Sequence, residues 1–413
     1  MPEAPSWKFQ PVIGSLVSKV PVSITLRGRV FTGVDDNVIE DGFVRIEHGL
    51  IIEVGIFEEE LHLQDNDGDN EIIETSGTIL PGLINSHVHL AWDGIHDLSA
   101  QALYDAPEIS AYKCASNMLV SLQSGITMVR DMGMNTSNIY AKQAIEQGIL
   151  SGPRIIICGE AIVQTGGHTY WCCREATGAD EMRRAVRDQV RSGADFIKIM
   201  ACHDTLEFTD EELAAVVDES HRNNMPITAH ATFDAAISRM ADFEVDIIEH
   251  GGNMSADTID RLLDRNIPIV TTFAPLVMQS KPEVARRFNI PEWKIKERQA
   301  AVADKGRYDS LVRASKAGVR IVFGTDAGSP AVGHDVIVPE LEFMVSLGVV
   351  EDNTAALRSI TSVAADVHSV GEVVGTLATG KEADIVVVNG NPIENLKALA
   401  NVKMTFVKGR RLI

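Results

Sequence analysis

Apolar and polar positions along this chain follow two different rhythms. From about residue 10 to 76, short runs of β-forming residues (VSKVPVSITLRG, GRVFTGV, GFVRIEHGLIIEVG and EIIETSG) are separated by Gly, Asp and Asn turns, which predicts a small sheet. Beyond that, apolar runs of strand length alternate with amphipathic stretches. The runs are TILPGLINSH, ITMVRDMG, RIIICGEAIV, DFIKIMA, PITAHAT, DIIEHGG, PIVTTFAP and RIVFGTDAG. Between them, segments such as DEMRRAVRDQVRSGA and TDEELAAVVDESHRNNM carry apolar residues near helical spacing, with Thr209 and Asp210 resembling N-terminal caps. Eight repeats of buried strand and helix predict an α/β chain folded as a (β/α)8 TIM barrel, not an open sheet. Near residue 371 the β pattern returns in GEVVGTLATGKEADIVVVNGN and VKMTFVKGRRLI. The expected organisation is a barrel of residues 77–370 inserted in a small β-sandwich domain made from both chain ends, residues 1–76 and 371–413.

Composition narrows what such a chain can do. Its 413 residues bury a sizeable core without disulfide help, and no uncharged apolar run reaches the roughly 18 residues a bilayer span needs, so no membrane partner is expected. A net charge of -21, from 37 basic and 58 acidic residues, argues against a nucleic-acid surface, which needs clustered Lys and Arg. The start, MPEAPSWKFQPVIGSL, lacks the features of a secretory signal, and Cys114, Cys158, Cys172, Cys173 and Cys202 have no disulfide-framework spacing. Both point to a cytoplasmic protein with free thiols, the adjacent Cys172 and Cys173 included. DNDGDN at 65–70 has its glycine in the fourth position where a calcium loop needs it in the sixth, and Ser76 stands where the bidentate Glu belongs; a solvated turn is expected there.

Candidate chemistry begins in TILPGLINSHVHLAWDG. His87 and His89 are two residues apart, so in an extended strand both imidazoles reach the same side. Alone, such a pair is weak evidence. In a barrel of this kind, however, the active site lies at the C-terminal strand ends. There His87 and His89 close the first strand, His230 ends the fifth, His250 the sixth and Asp326 the eighth, while Lys198 lies in the fourth. A lysine inside an apolar strand is costly to leave charged and unpaired. Four imidazoles, a carboxylate and an amine are more than one catalytic zinc takes, and they suit two divalent metal ions. Lysine becomes a ligand only once its charge is removed, and CO2 addition to Lys198 would give a carbamate able to bridge two ions.

These residues, in LPGLINSHVHL, IKIM, TAHA, IEHGG and GTDAG, together with the closing GTLATGKEADIVVVNGNP, resemble the amidohydrolase superfamily in its binuclear, carboxylated-lysine branch. The resemblance implies that His87 and His89 bind a buried metal with Asp326, that His230 and His250 bind an exposed one, and that carboxylated Lys198 bridges them. It implies zinc as the usual metal and a homo-oligomer as the usual assembly. The stretch QTGGHTYWCCREATGADEMRRAVRDQVRSGADFIKIMA is similar to the prolidase-like and imidazolonepropionase-related amide hydrolases, a group that includes ochratoxin and phenylurea hydrolases. After Lys198 this chain departs from them, with ACHDTLEF in place of a Gly-rich turn.

The expected function is hydrolysis of a C–N bond (amide or peptide-like, carbamate or urea) in a small-molecule substrate, by a hydroxide bridging the two metals. Asp326 would take the proton and pass it to the departing nitrogen. His168 and Tyr170, in GGHTYW, are candidates for the oxyanion donor or for substrate contacts. His203, His334 in GSPAVGHD, and Arg130 are candidate substrate contacts, Arg130 having a structural ion pair with Asp131 as its other reading. His48, His62, His96, His221 and His368 are assigned no role. A deaminase of the same fold is the alternative, but TAHATFDAA offers no Glu base after the fifth strand. A catalytically silent relative would be expected to have lost ligands, and this chain keeps all six.

Overall fold

The computed structural model describes residues 23–58, 70–95 and 97–413. The N-terminal stretch, most of DNDGDN, His62 and His96 lie outside them.

Strand β1 (Ser23–Phe31) pairs antiparallel with β2 (Val38–Glu47), which turns into β3 (Leu50–Ile56). GFVRIEHGLIIEVG, which reads as one run, is therefore a hairpin. His48 and Gly49 both take positive φ, 50° and 85°, which matches a tight turn to the twist of its strands. β4 (Asn70–Pro81) runs parallel to β1, and its last residues, Thr78–Pro81, pair with Ile385–Val388 of the returning chain. The expected division at residue 76 thus falls inside β4. The strand ends at Pro81, and at Gly82 the chain enters the barrel pressed so closely against Thr127 that a Cβ would sit 2.1 Å from its Oγ1.

All the expected barrel strands form. β5 (Leu83–Val88), β6 (Ile126–Asp131) and β7 (Arg154–Ile157) make one parallel sheet. A second holds β8 (Ile162–Gln164), edged by β9 (Arg174–Ala176), then β10 (Ile197–Met200), β11 (Ile227–Phe233), β12 (Ile247–Asn253), β13 (Ile269–Thr271) and β14 (Ile321–Phe323). The closed barrel expected from the repeat is corrected here to two sheets without a continuous ladder. RIIICGEAIV breaks into β7 and β8 around Gly159 (φ 71°), and Asp326 turns out of the β14 ladder with φ 56°. A few backbone bonds cross the gaps: Asp195 N to Ile157 O at 2.7 Å on one side, and on the other Asp326 N to His87 O at 2.9 Å and His89 N to Ala327 O at 2.8 Å.

The helices follow their sequence signals. Thr209 caps Asp210–Arg222 in a capping box with Glu212, so Asp210 is the first helical residue and not the cap. Ala179–Ser192 lays Met182, Ala185 and Val186 on the core. Among the described residues no helix is long and apolar enough to cross a membrane.

β15 (Ile385–Val388), β16 (Val402–Val407) and β17 (Arg410–Arg411) return to the N-terminal strands in the order β17-β16-β15-β4-β1-β2-β3. Both chain ends therefore build the small unit. It is one continuous sheet curled over its own core, which supports the expected sandwich in part. Bulges at Gly28/Val30 and Val387/Val388 bend it until Leu50 bridges Glu382, enclosing Leu26, Val44, Ile79, Ile385 and Phe406.

Candidate active site

β5 delivers His87 and His89 to one side, and the loop after β14 brings Asp326 to meet them. Its Oδ1 lies 3.5 Å from His87 Nε2 and 3.2 Å from His89 Nε2, and the ligating atoms of all three lie within 4.8 Å of one another. Each imidazole commits its other nitrogen behind the site. His87 Nδ1–H donates to Glu249 Oε2 at 2.7 Å and His89 Nδ1–H to the Gly133 carbonyl at 2.6 Å. Both Nε2 atoms are thereby left facing Asp326. Burial alone would raise the Asp326 carboxyl, but His89 and His87 overcome it and hold it at about 2. Burial lowers His87, whereas in His89 it is outweighed by Asp326 and Gly133, and that ring titrates above its ordinary value.

β11 and β12 add His230 and His250, whose ring centroids lie 4.5 Å apart, with His250 4.8 Å from His87. His250 takes φ 70°, a conformation costly for a non-glycine residue. That departure from strand geometry lets the consecutive Glu249 and His250 both serve one site, Glu249 from beneath and His250 at its wall. Thr272 Oγ1 holds His250 Nδ1 at 2.6 Å. From β10, Lys198 enters between them. Its Nζ is buried and, among the described residues, has no hydrogen-bond partner; burial lowers its pKa. Burial and neighbouring cationic groups likewise hold His230 and His250 well below their ordinary value, hence neutral.

This donor set fits divalent metal ions. Three imidazoles are oriented through Nδ1, a carboxylate is kept ionised, and a buried amine without a partner among the described residues is biased to its neutral form. Residues 78–412 match the model of the amidohydrolase family. The chain belongs to that family. It is 28% identical to the ochratoxinase of Aspergillus niger over 374 residues, covering 81% of this chain and 75% of that protein. Two solved structures are similar to it across 94% of this chain and 99% of theirs, each with a TM-score of 0.80. One is a Xaa-Pro dipeptidase with bound methionine, 28% identical; the other is a prolidase complexed with N-methylphosphonate-L-proline, 26% identical. The protein is thus an amidohydrolase-family hydrolase, from a family that generally uses divalent metal ions.

The amidohydrolase cavity, about 250 Å³, is lined by His87, His89, Lys198, His230, His250 and Asp326, which the structure brings together as expected from the strand ends. Its other wall comes from Trp92 and from His168, Thr169, Cys172 and Cys173. His168 lies 4.7 Å from His230 between ring centroids, and burial, then His203 and Lys198, hold it at about 4.

Four other expected contacts do not line it. Tyr170 is 52% exposed, because Thr169 at φ 54° starts a single 3-10 turn that carries the phenol outward. His203 stacks on His168 with ring centroids 4.6 Å apart, outside the lining. His334 is buried behind Trp92, with Nε2 3.1 Å from its carbonyl. Arg130 points beneath the site, over the Phe196 ring, with Nη1 2.6 Å from Glu249 Oε1. Its ion pair is therefore with Glu249. Asp131 instead accepts from Leu90 N, Gly133 N and Asn138 Nδ2.

Sequence reasoning missed Glu249 and Glu207. Glu249 is fully buried, accepts from His87, Arg130 and Thr228, and is held well below the carboxylate range: burial opposes this, and Arg130 and His87 prevail. Like Lys198, it is an ionisable group inside an apolar strand, and that signal in DIIEHGG marks it. Glu207, in the unusual ACHDTLEF loop, accepts from the His168 backbone N–H at 2.7 Å. No signal in the sequence links those loops.

Proposed function

We propose that this chain is a two-metal hydrolase that cleaves an amide or peptide-like C–N bond, or the related carbamate or urea bond, in a small molecule. The observation that carries the reading is Lys198: a buried amine without a partner among the described residues, set among four imidazoles and Asp326. His87, His89 and Asp326 would hold one ion and His230 and His250 the other, with a carbamate on Lys198 joining them. Two zinc ions there would polarise a carbonyl and lower the pKa of water into the neutral range.

The chain's own groups do the rest. Asp326, ionised at neutral pH, accepts a proton and returns it to the departing nitrogen, which leaves poorly unless protonated. His168, neutral at the same pH, presents a ring N–H to the oxygen on which negative charge develops. Glu207 fixes the His168 backbone, and Trp92 with its neighbours shields the site from water. A cavity of about 250 Å³ suits an acyl amino acid, a dipeptide or a small aryl amide. The likeness to an ochratoxinase and to prolidase structures supports the same range.

The test is a hydrolysis panel of Xaa-Pro and other dipeptides, N-acyl amino acids, aryl carbamates and aryl ureas, run on zinc-loaded protein with Lys198→Ala as control. At least one class is expected to turn over, with a loss of at least about 100-fold in the variant. Turnover of none, or a variant that keeps most of the rate, overturns the proposal.

A further inference from the structure

Amide hydrolysis leaves one part of the cavity wall unused. Cys172 and Cys173 both line the cavity, both are partly exposed, and their Sγ atoms lie 4.0 Å apart. Consecutive residues in a strand would point to opposite sides. Here Cys172 ends the 3-10 turn begun at Thr169, donating its N–H to the Thr169 carbonyl at 2.9 Å, and Cys173 leaves in extended conformation at φ -120°, ψ 161°. The switch of backbone between the two residues swings both sulfurs to the same side. Thr169 tethers each: its carbonyl accepts from Cys172 Sγ at 3.3 Å, and its Oγ1 lies 3.6 Å from Cys173 Sγ. The remaining thiols, Cys114, Cys158 and Cys202, are buried.

We propose that Cys172 and Cys173 form a dithiol site in the cavity wall that takes trivalent organoarsenicals, and that its occupation closes the cavity to substrate. The first sulfur to bond holds the arsenic within reach of the second, so ring closure is intramolecular and gains the avidity of a chelate. For an arsine oxide, the two S–H bonds and the arsenic–oxygen bond break and two S–As bonds form. Both thiol protons leave with the oxygen as water. Arsenic stays trivalent, so no oxidant or reductant is required. The aryl group then competes for a space of about 250 Å³ that substrate must enter. This closure rests on reading the cavity as the substrate site; formation of the adduct does not.

The experiment treats zinc-loaded protein with phenylarsine oxide and follows intact mass and hydrolysis together. Expected is one adduct per chain, heavier by the reagent less one water, with at least a tenfold loss of hydrolysis. The adduct survives a monothiol and is removed by 2,3-dimercaptopropanol, and activity returns after the same zinc loading. Cys172→Ser and Cys173→Ser, each compared with its own untreated rate, should bind the arsenical at least about 100-fold more weakly. Should either variant fail to fold, dithiol-specific reversal in the unaltered protein still decides the matter. Absence of the adduct, its removal by a monothiol, or an equally stable adduct in either variant overturns the site. An adduct that leaves hydrolysis intact overturns the closure. If the untreated protein hydrolyses nothing, the proposed function fails, and the mass measurement still tests the dithiol site.

Discussion

Glu249→Gln keeps a side chain's volume and takes its charge out of a fully buried position. In the folded protein that carboxylate accepts from Arg130 Nη1 at 2.6 Å, His87 Nδ1 at 2.7 Å and Thr228 Oγ1. Removing one partner of a buried ion pair leaves the other uncompensated, at a cost of about 3–5 kcal/mol. A glutamine oxygen can still accept from Arg130, but its N–H2 then faces the His87 N–H, so the lower end, about 3 kcal/mol, is expected. The same change frees the His87 ring and should weaken metal binding about 10- to 100-fold. The pH dependence has a definite sign. Glu249 is held well below its ordinary 4.5, so its contribution is fully present above that value and is lost as pH falls through the depressed one. The gap between the unaltered protein and the variant should therefore be constant near neutrality and close in acid. Urea unfolding of the metal-free proteins, read by midpoint at unchanged slope, gives the stability term, and zinc titration gives the affinity. A variant within about 1 kcal/mol of the unaltered protein, binding zinc as tightly, would refute the claim that this buried pair orients His87.

Three further outcomes follow from the same geometry. Lys198→Met removes an unsatisfied buried amine, so the metal-free protein should gain about 1–3 kcal/mol in thermal stability while losing bound metal; destabilisation of the metal-free form would contradict this. His168→Ala should lower kcat about 10²- to 10³-fold with little change in KM, and Glu207→Ala by about tenfold, with Glu207→Gln restoring most of it because an amide oxygen still accepts the His168 N–H; a KM-only effect would exclude the assigned roles. Burial pushes Glu340, on the helix Val338–Leu347, up to about 8 from its ordinary 4.5, so the folded state keeps a proton the unfolded chain has released, and stability falls as pH rises through that window. Glu340→Gln should remove that slope, seen as a gain relative to the unaltered protein in thermal midpoint between pH 5 and pH 8.

Much of the site was legible because its residues sit at the ends of apolar strands whose polarity is unmistakable. His87, His89, Lys198, His230, His250 and Asp326 need only the barrel repeat to bring them together. What the repeat cannot convey is where a strand stops behaving as one. His250 and Asp326 occupy their places through positive φ, whereas Glu249, in the regular ladder, reaches the site from beneath. Arg130 reads as an ion pair with its neighbour Asp131 or as a substrate anchor because its partner, Glu249, lies 119 residues away on another strand, and the turn at Thr169 carries Tyr170 outward. The open seams of the barrel have the same origin, since RIIICGEAIV reads as one strand and splits at a turn. In the small unit, the alternation identified the strands, but the bulges that curl them into one sheet leave no mark in the hydrophobic pattern.

A bridging carbamate on Lys198 requires two metal ions in each chain. Protein grown with added zinc and bicarbonate, desalted and assayed by inductively coupled plasma mass spectrometry, is predicted to carry two divalent ions per chain, with Lys198→Ala clearly below two and its amide hydrolysis lost in proportion. Clearly fewer than two ions in the unaltered protein, or two ions and full hydrolysis in the variant, would contradict it.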